Sequence, residues 1–277
     1  MQHREFKLTG QGGIELAAQA WLPDEPASGV LAIAHGLGEH SGRYGELVAR
    51  CVARGFAVYA LDHRGHGRSG GRRAQVGRFA WLVLDLDALL AHAWREHPGV
   101  PRLLFGHSMG GAIALTWALD HPDGLEGLIL SGPAIAPTSG VSAARIWLVR
   151  LLSRLLPNLG AIRVPAESVS RDPAVVRAYA EDPLVFHGAV PARTLAELLG
   201  AMLALPERAP ALRVPVLVLQ GTGDLLVPYP DVKPVFERLG SPDKTVHIYE
   251  GLFHEVLNEP ERAQVLADID HWLDARR

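Results

Sequence analysis

Short, mostly apolar runs alternate along this chain with longer stretches in which apolar residues recur every three or four positions. The short runs cover 30–35, 57–62, 102–105, 125–131, 214–219 and 245–249. Several are apolar on both faces, which predicts strands covered by helices on each side. The longer stretches, 43–54, 79–97, 109–120, 231–239 and 261–275, have helical spacing. Strand followed by helix, repeated, is the pattern of βα units around a largely parallel sheet. Ahead of these units, 5–8 and 14–22 flank Gly10, Gly12 and Gly13 and predict an opening antiparallel hairpin.

The rhythm breaks between residues 137 and 206. Helical patterns recur there at 142–156, 173–180 and 194–205, with no strand pattern between them. A structureless loop of that length is improbable in a compact domain. The expected organisation is therefore an α/β core built from 1–136 and 207–277, with a helical cap inserted at 137–206.

Composition narrows the picture. Apolar residues make up 48% of the chain, enough for a buried sheet and too many for disorder. A net charge of −3 supplies no basic face, so nucleic acid is not an expected partner. Cys51 is the single cysteine, which excludes an intrachain disulfide and a cysteine-based metal site. Met1 to Glu5 lead into polar sequence rather than an apolar signal segment, and no run approaches the roughly 18–20 apolar residues of a spanning helix. These features set the expectation of a cytoplasmic protein.

The sharpest chemical signal is Gly106-His107-Ser108-Met109-Gly110. It follows the apolar Leu103-Leu104-Phe105 and precedes a helical run, the strand–turn–helix setting that a G-x-S-x-G nucleophile elbow requires. A serine hydroxyl needs a base, and His254, directly after the last predicted strand, is the candidate. Asp224, in the glycine-rich turn after 214–219, can accept the second N–H of that histidine and fix its tautomer. The chain order Ser, Asp, His is that of the α/β-hydrolases. Backbone N–H groups of Met109 and of Leu37, in His35-Gly36-Leu37-Gly38, are the expected oxyanion donors. Asp62, His63, Arg64 and His66 form a second polar cluster, read as a hydrogen-bonded loop bracing the active-site edge in preference to a metal site. Asp85 and Asp87, on a predicted helix, are read as solvated or structural. No metal or organic cofactor is needed for the chemistry these residues imply.

At three places the chain resembles the monoacylglycerol lipases, the bacterial branch above all. These are His35-Gly36-Leu37-Gly38-Glu39-His40-Ser41-Gly42-Arg43-Tyr44, Asp62-His63-Arg64-Gly65-His66-Gly67-Arg68-Ser69 and Gly106-His107-Ser108-Met109-Gly110-Gly111. Asn258-Glu259-Pro260-Glu261 and Ser170-Arg171-Asp172-Pro173 extend the likeness over nearly the whole length. The resemblance implies an α/β-hydrolase fold with a mobile cap, and cleavage of monoacylglycerols to fatty acid and glycerol through an acyl-enzyme. It also implies that Glu39 and Arg43 lie at the glycerol end of the site; a salt bridge behind the oxyanion loop is the equal alternative. Asn258 stands near a position where some relatives carry a histidine, so headgroup recognition is expected to differ in detail.

The cap itself suits a lipid. Trp147, Leu148, Leu151, Leu152 and Leu155 fall on one helical stripe, with Arg150, Ser153 and Arg154 opposite. Residues 137–165 carry four arginines and no acidic residue. The expectation is transient contact with a membrane or micelle surface; the alternative is a stripe buried on the protein itself. Two further activities stay open: a broader carboxylesterase or lysophospholipase, and a ligand receptor that merely retains the triad.

Overall fold

The computed structural model describes residues 1–276. The chain opens with β1 (Gln2–Thr9) and β2 (Glu15–Leu22), paired antiparallel from Gln2 opposite Leu22 to Thr9 opposite Glu15. Then come β3 (Gly29–Ala34), α1 (Gly45–Ala53), β4 (Phe56–Leu61), α2 (Phe79–Glu96), β5 (Arg102–His107), α3 (Met109–Asp120) and β6 (Gly127–Ser131). An inserted segment follows, with α4 (Ala143–Leu155), β7 (Gly160–Ile162), α5 (Pro173–Glu181), β8 (Val190–Pro191) and α6 (Ala192–Arg208). The chain closes with β9 (Val216–Gly221), α7 (Tyr229–Arg238), β10 (Lys244–Tyr249) and α8 (Arg262–Asp274).

Eight strands form one sheet in the order β1-β2-β4-β3-β5-β6-β9-β10. Beyond the antiparallel β1, β2 and β4 contacts, every neighbouring pair is parallel. The alternation of side chains along β3 shows how the core divides. Val30, Ala32 and Ala34 face a layer containing Leu82 and Leu86 of α2 and Ile113 and Trp117 of α3. Leu31 and Ile33 face the opposite layer, with Leu47 and Cys51 of α1 and Ile269 and Trp272 of α8. Both faces are covered, which is why these strands are apolar at every position.

The inserted segment departs from expectation in three respects. It contains a small antiparallel pair, β7 with β8, where no strand was predicted. Two and three residues, those of β7 exposed, are too few to carry a periodic signal. Helix α6 passes through Pro206 to Arg208, two residues beyond the expected boundary. Third, Ser153 of α4, assigned to the polar side opposite the apolar stripe, is buried. Within the stripe, Trp147, Leu148 and Leu155 are 64%, 47% and 68% exposed and Leu151 and Leu152 half-buried, so it is the alternative of a stripe buried on the protein that is not met. Leucines on several sides of α4 left its inward face undetermined by periodicity alone.

Local signals start α4 and α5: Ser142 accepts from Arg145 N–H, and Asp172 accepts from Ala174 N–H with Pro173 opening α5. The segment is tied to the sheet edge at several points. Phe186 N–H donates to Gly38 O at 2.7 Å, His40 Nε2 meets Asp182 Oδ2 at 2.8 Å, and Thr194 Oγ1 donates to Ala74 O at 2.7 Å. No described helix is long and apolar enough to cross a membrane.

Candidate active site

Because β3, β5, β6, β9 and β10 run parallel, the loops leaving them emerge at one sheet edge. Those loops carry Leu37, Ser108, Asp224 and His254. Ser108 sits between β5 and α3 at φ 53° and ψ −118°, and among the described non-glycine residues only Ala74 also has a positive φ. The turn packs so closely against the end of β3 that a Cβ at Gly110 would lie 2.0 Å from Ala34 O. Gly36 meets the elbow from the other side, since a Cβ there would be 3.2 Å from Ser108 Cβ and 2.9 Å from Glu39 Oε1. The expected oxyanion loop thus touches the serine through backbone. The N–H groups of Leu37 and Met109 have no acceptor among the described residues.

His254 Nδ1 lies 2.7 Å from Asp224 Oδ2. The carboxylate is held by three further donors: Leu226 N–H (2.9 Å) and Val227 N–H (2.8 Å) to Oδ1, and Gln220 Nε2 (3.1 Å) to Oδ2. Burial penalises the Asp224 anion, but His254 and the two backbone donors outweigh it and hold the carboxyl below its ordinary range. Burial likewise works against a charged His254, yet Asp224 first, then Glu255 and Glu39, raise its pKa above the usual value. Ser108 and His254 line the same cavity, without a hydrogen bond between them among the described contacts. The cavity measures about 860 Å³ with the open solvent at its mouth, and Leu195, Leu198 and Met202 of α6 supply part of its apolar wall.

Glu39 and Arg43 belong to a buried ion network beside this cavity. Glu39 Oε1 accepts from Gly36 N–H and from Tyr44 Oη, each at 2.6 Å, and its Oε2 accepts from Arg43 Nη1 at 2.9 Å. Arg43 also forks onto Glu255, at 2.6 and 2.8 Å, and stacks 4.8 Å over the Tyr179 ring. Burial would raise the Glu39 pKa, but Arg43, His107 and His35 bring it down to about 2. Asn258 Nδ2 donates to Glu255 Oε2 at 2.7 Å. The salt bridge behind the expected oxyanion loop is therefore present, while Glu39 also lines the cavity.

The second polar cluster braces the edge. Asp62 Oδ1 accepts from Ser41 N–H and Oγ, and its Oδ2 from Arg68 N–H. Arg64 grips Asp85 through two hydrogen bonds of 2.6 and 2.8 Å. Asp85 is fully buried, so of its two expected readings the structural one applies; Asp87 accepts from Trp117 Nε1. Sequence reasoning missed Gln220, Glu255 and Tyr179. Gln220 carried a readable signal, a lone amide ending the run Val216-Leu217-Val218-Leu219. Glu255 had none beyond its place next to His254.

A parallel sheet with helices on both faces, a strained serine at a strand–helix elbow and a buried Asp–His pair beside it together define an α/β-hydrolase. Comparison with known proteins is consistent with this class. Residues 25–261 match the family described as "Serine aminopeptidase, S33". The chain is 41% identical to a monoacylglycerol lipase of Mycolicibacterium smegmatis, covering 97% of this chain and 96% of that one. It is 34% identical to the human monoglyceride lipase, over 97% and 90% of the two chains. The crystal structure of a Paleococcus ferrophilus monoacylglycerol lipase superposes with a TM-score of 0.83 at 30% identity, covering 100% of both chains. The chain belongs to this hydrolase family, on its monoacylglycerol lipase branch.

Proposed function

We propose that this protein is a carboxylic ester hydrolase that cleaves monoacylglycerols to fatty acid and glycerol. Ser108 Oγ attacks the ester carbonyl as His254 Nε2 takes its proton. The oxyanion is met by the backbone N–H groups of Leu37 and Met109. Glycerol leaves with the proton returned by His254, and Ser108 remains acylated. Water, deprotonated by the same histidine, then attacks the acyl-enzyme, releases the fatty acid and restores the serine. Asp224 keeps Nδ1 protonated and stabilises the imidazolium. Substrate binding closes the Ser108–His254 contact, as such contacts tighten in the reactive complex.

The observation that carries this reading is the buried Asp224–His254 pair, opening with Ser108 onto one largely apolar cavity. The core comprises 1–136 and 207–277, and 137–206 acts as a cap that shields the acyl chain. The exposed Trp147, Leu148 and Leu155 of α4, with Arg150 and Arg154, support a transient seat for this cap on a lipid surface. Pure enzyme and a Ser108→Ala variant, assayed on monoacylglycerol, triacylglycerol, lysophospholipid and p-nitrophenyl esters, test the proposal. The expected result is preference for monoacylglycerol and no turnover by the variant. Substantial residual hydrolysis by Ser108→Ala would contradict the mechanism, and preference for another ester would replace the substrate.

A further inference from the structure

Gln220 is the penultimate residue of β9, opposite Ile248 of β10, and its side chain is fully buried. Its Nε2 lies 3.1 Å from Asp224 Oδ2, 3.1 Å from Val227 O and 3.2 Å from Gly221 O. Its Oε1 has no partner among the described residues. These contacts fix the amide orientation. Reversing it would set a carbonyl oxygen against three acceptor oxygens, one of them on an anion, whereas the observed orientation leaves a single acceptor unpaired. An amide buried with one atom unpaired costs the fold more than a leucine or methionine of similar size would. What it supplies in return is directed at one carboxylate.

The oxygen it reaches is the one that His254 uses. The two backbone donors, Leu226 and Val227 N–H, hold Oδ1 alone. A carboxylate is rigid and planar, so rotation about Cβ–Cγ moves both oxygens together, and the two backbone donors resist that rotation at Oδ1 only. Gln220 Nε2 resists the same rotation at Oδ2, and the same amide ties the turn between Gly221 and Val227 from within.

We infer that Gln220 is a positioning residue: its side-chain amide locks the Asp224 carboxylate so that Oδ2 stays aimed at His254 Nδ1. The inference rests on the reading of Asp224 and His254 as the pair that activates Ser108. Gln220 touches no substrate, and it is absent from the cavity lining. It acts through Asp224 and the turn that carries it.

Gln220→Met keeps length and burial and removes both donors, and Gln220→Leu does the same with a shorter side chain. Each is measured for kcat and KM on monoacylglycerol from pH 5 to 9. Active sites are counted by end-point fluorophosphonate labelling and folding by calorimetry. One hydrogen bond to a charged group is at stake, so kcat per labelled site should fall about 10- to 100-fold, with KM little changed. With one donor fewer, the Asp224 charge is less neutralised and favours the imidazolium. The acid limb of kcat should therefore move to higher pH. Glu255, Glu39, Arg43 and His107, the other ionisable groups around His254, are untouched by either substitution. The downfield proton resonance of His254 Nδ1–H should shift in parallel.

Wild-type kcat with an unmoved limb in both variants overturns the inference. So does a loss of activity that only follows the loss of folded protein, including failure of both variants to fold, since a purely structural residue would behave that way. Hydrolysis that survives in Ser108→Ala would instead bring down the mechanism on which the inference stands.

Discussion

Arg43 and Glu255 are joined by two parallel hydrogen bonds, although 212 residues separate them in the chain. Arg43 follows the loop of Leu37, and Glu255 immediately follows His254. Through Glu39, which holds Gly36 N–H, the same arginine reaches the loop that touches Ser108. One guanidinium thus connects the loop expected to bind the oxyanion to the loop that carries His254, the proposed base. The geometry matches a planar fork and two carboxylates, which a lysine ammonium cannot reproduce.

Removing that cation strands two buried anions. Arg43→Ala should therefore destabilise the fold by about 3–5 kcal/mol, the usual cost of breaking a buried ion pair from one side. Arg43→Lys should recover part of the stability but little of the activity, because a single ammonium cannot reach Glu39 and Glu255 bidentately. Urea denaturation read beside kcat/KM checks both. An Arg43→Ala protein as stable as wild type would mean that the network carries no such load.

The pH dependence of turnover follows from His254. In the proposed mechanism it must be neutral to accept the serine proton, and its pKa is raised by Asp224 and the neighbouring carboxylates against the pull of burial. The acid limb of kcat/KM should therefore lie above the ordinary histidine value of about 6.5. Glu255→Gln removes one of the raising charges and should move the limb down. A limb at or below 6.5 in wild type, unmoved by Glu255→Gln, would contradict this account.

The sheet strands and the elbow were legible because their causes are local. Residues 30–34 are apolar throughout because both faces of β3 are covered, and Gly106 and Gly110 bracket Ser108 because the turn leaves no room for side chains. Asp224 and His254 were legible through strand order, since each ends a parallel strand at the same edge. The Arg43–Glu255 fork was not, because no pattern within a short window records a contact made across most of the chain. The inward face of α4 was illegible for the opposite reason. Its apolar residues are too many to single out one side, and the lie of neighbouring segments decides which of them are covered.

Acid stability should be governed by a different group of histidines. His35, His63 and His66 are buried with ring centroids 4.4 Å (His35–His63) and 5.5 Å (His35–His66) apart. Burial, first, and mutual repulsion hold His63 well below its ordinary pKa and His66 at about 3. In the unfolded chain these rings gain protons below about pH 6.5, whereas in the fold they stay neutral. The unfolded state then binds more protons, so their stabilising effect is present above 6.5 and lost as pH falls towards the folded values. Each ring that stays neutral costs about 1.4 kcal/mol of stability per pH unit in that window. His254 works with the opposite sign, because its raised pKa stabilises the fold at low pH and ceases to do so as pH rises through it. Urea midpoints should drop steeply from pH 6.5 to 5, and His66→Gln should flatten the slope. Equal midpoints across that range would rule out the cluster as the source.

The surface of α4 leads to the last prediction. Trp147, Leu148, Leu155 and Leu156 stand 64%, 47%, 68% and 54% exposed. Arg150 and Arg154 are exposed on the same helix, and no acidic residue lies between 137 and 165 to repel anionic headgroups. Apolar side chains beside unopposed cations suit a helix lying in a lipid interface, where each basic residue near an anionic surface contributes about 1 kcal/mol. Arg150→Gln with Arg154→Gln should weaken binding to phosphatidylglycerol vesicles in proportion to the lost charge, and added salt should mimic the change. Trp147→Ser with Leu148→Ser should weaken binding to neutral vesicles as well, since the apolar contribution does not depend on lipid charge. Turnover of a water-soluble p-nitrophenyl ester should stay near wild type in both pairs, which separates seating on lipid from catalysis. Vesicle binding that neither pair alters would remove α4 from the lipid-facing surface.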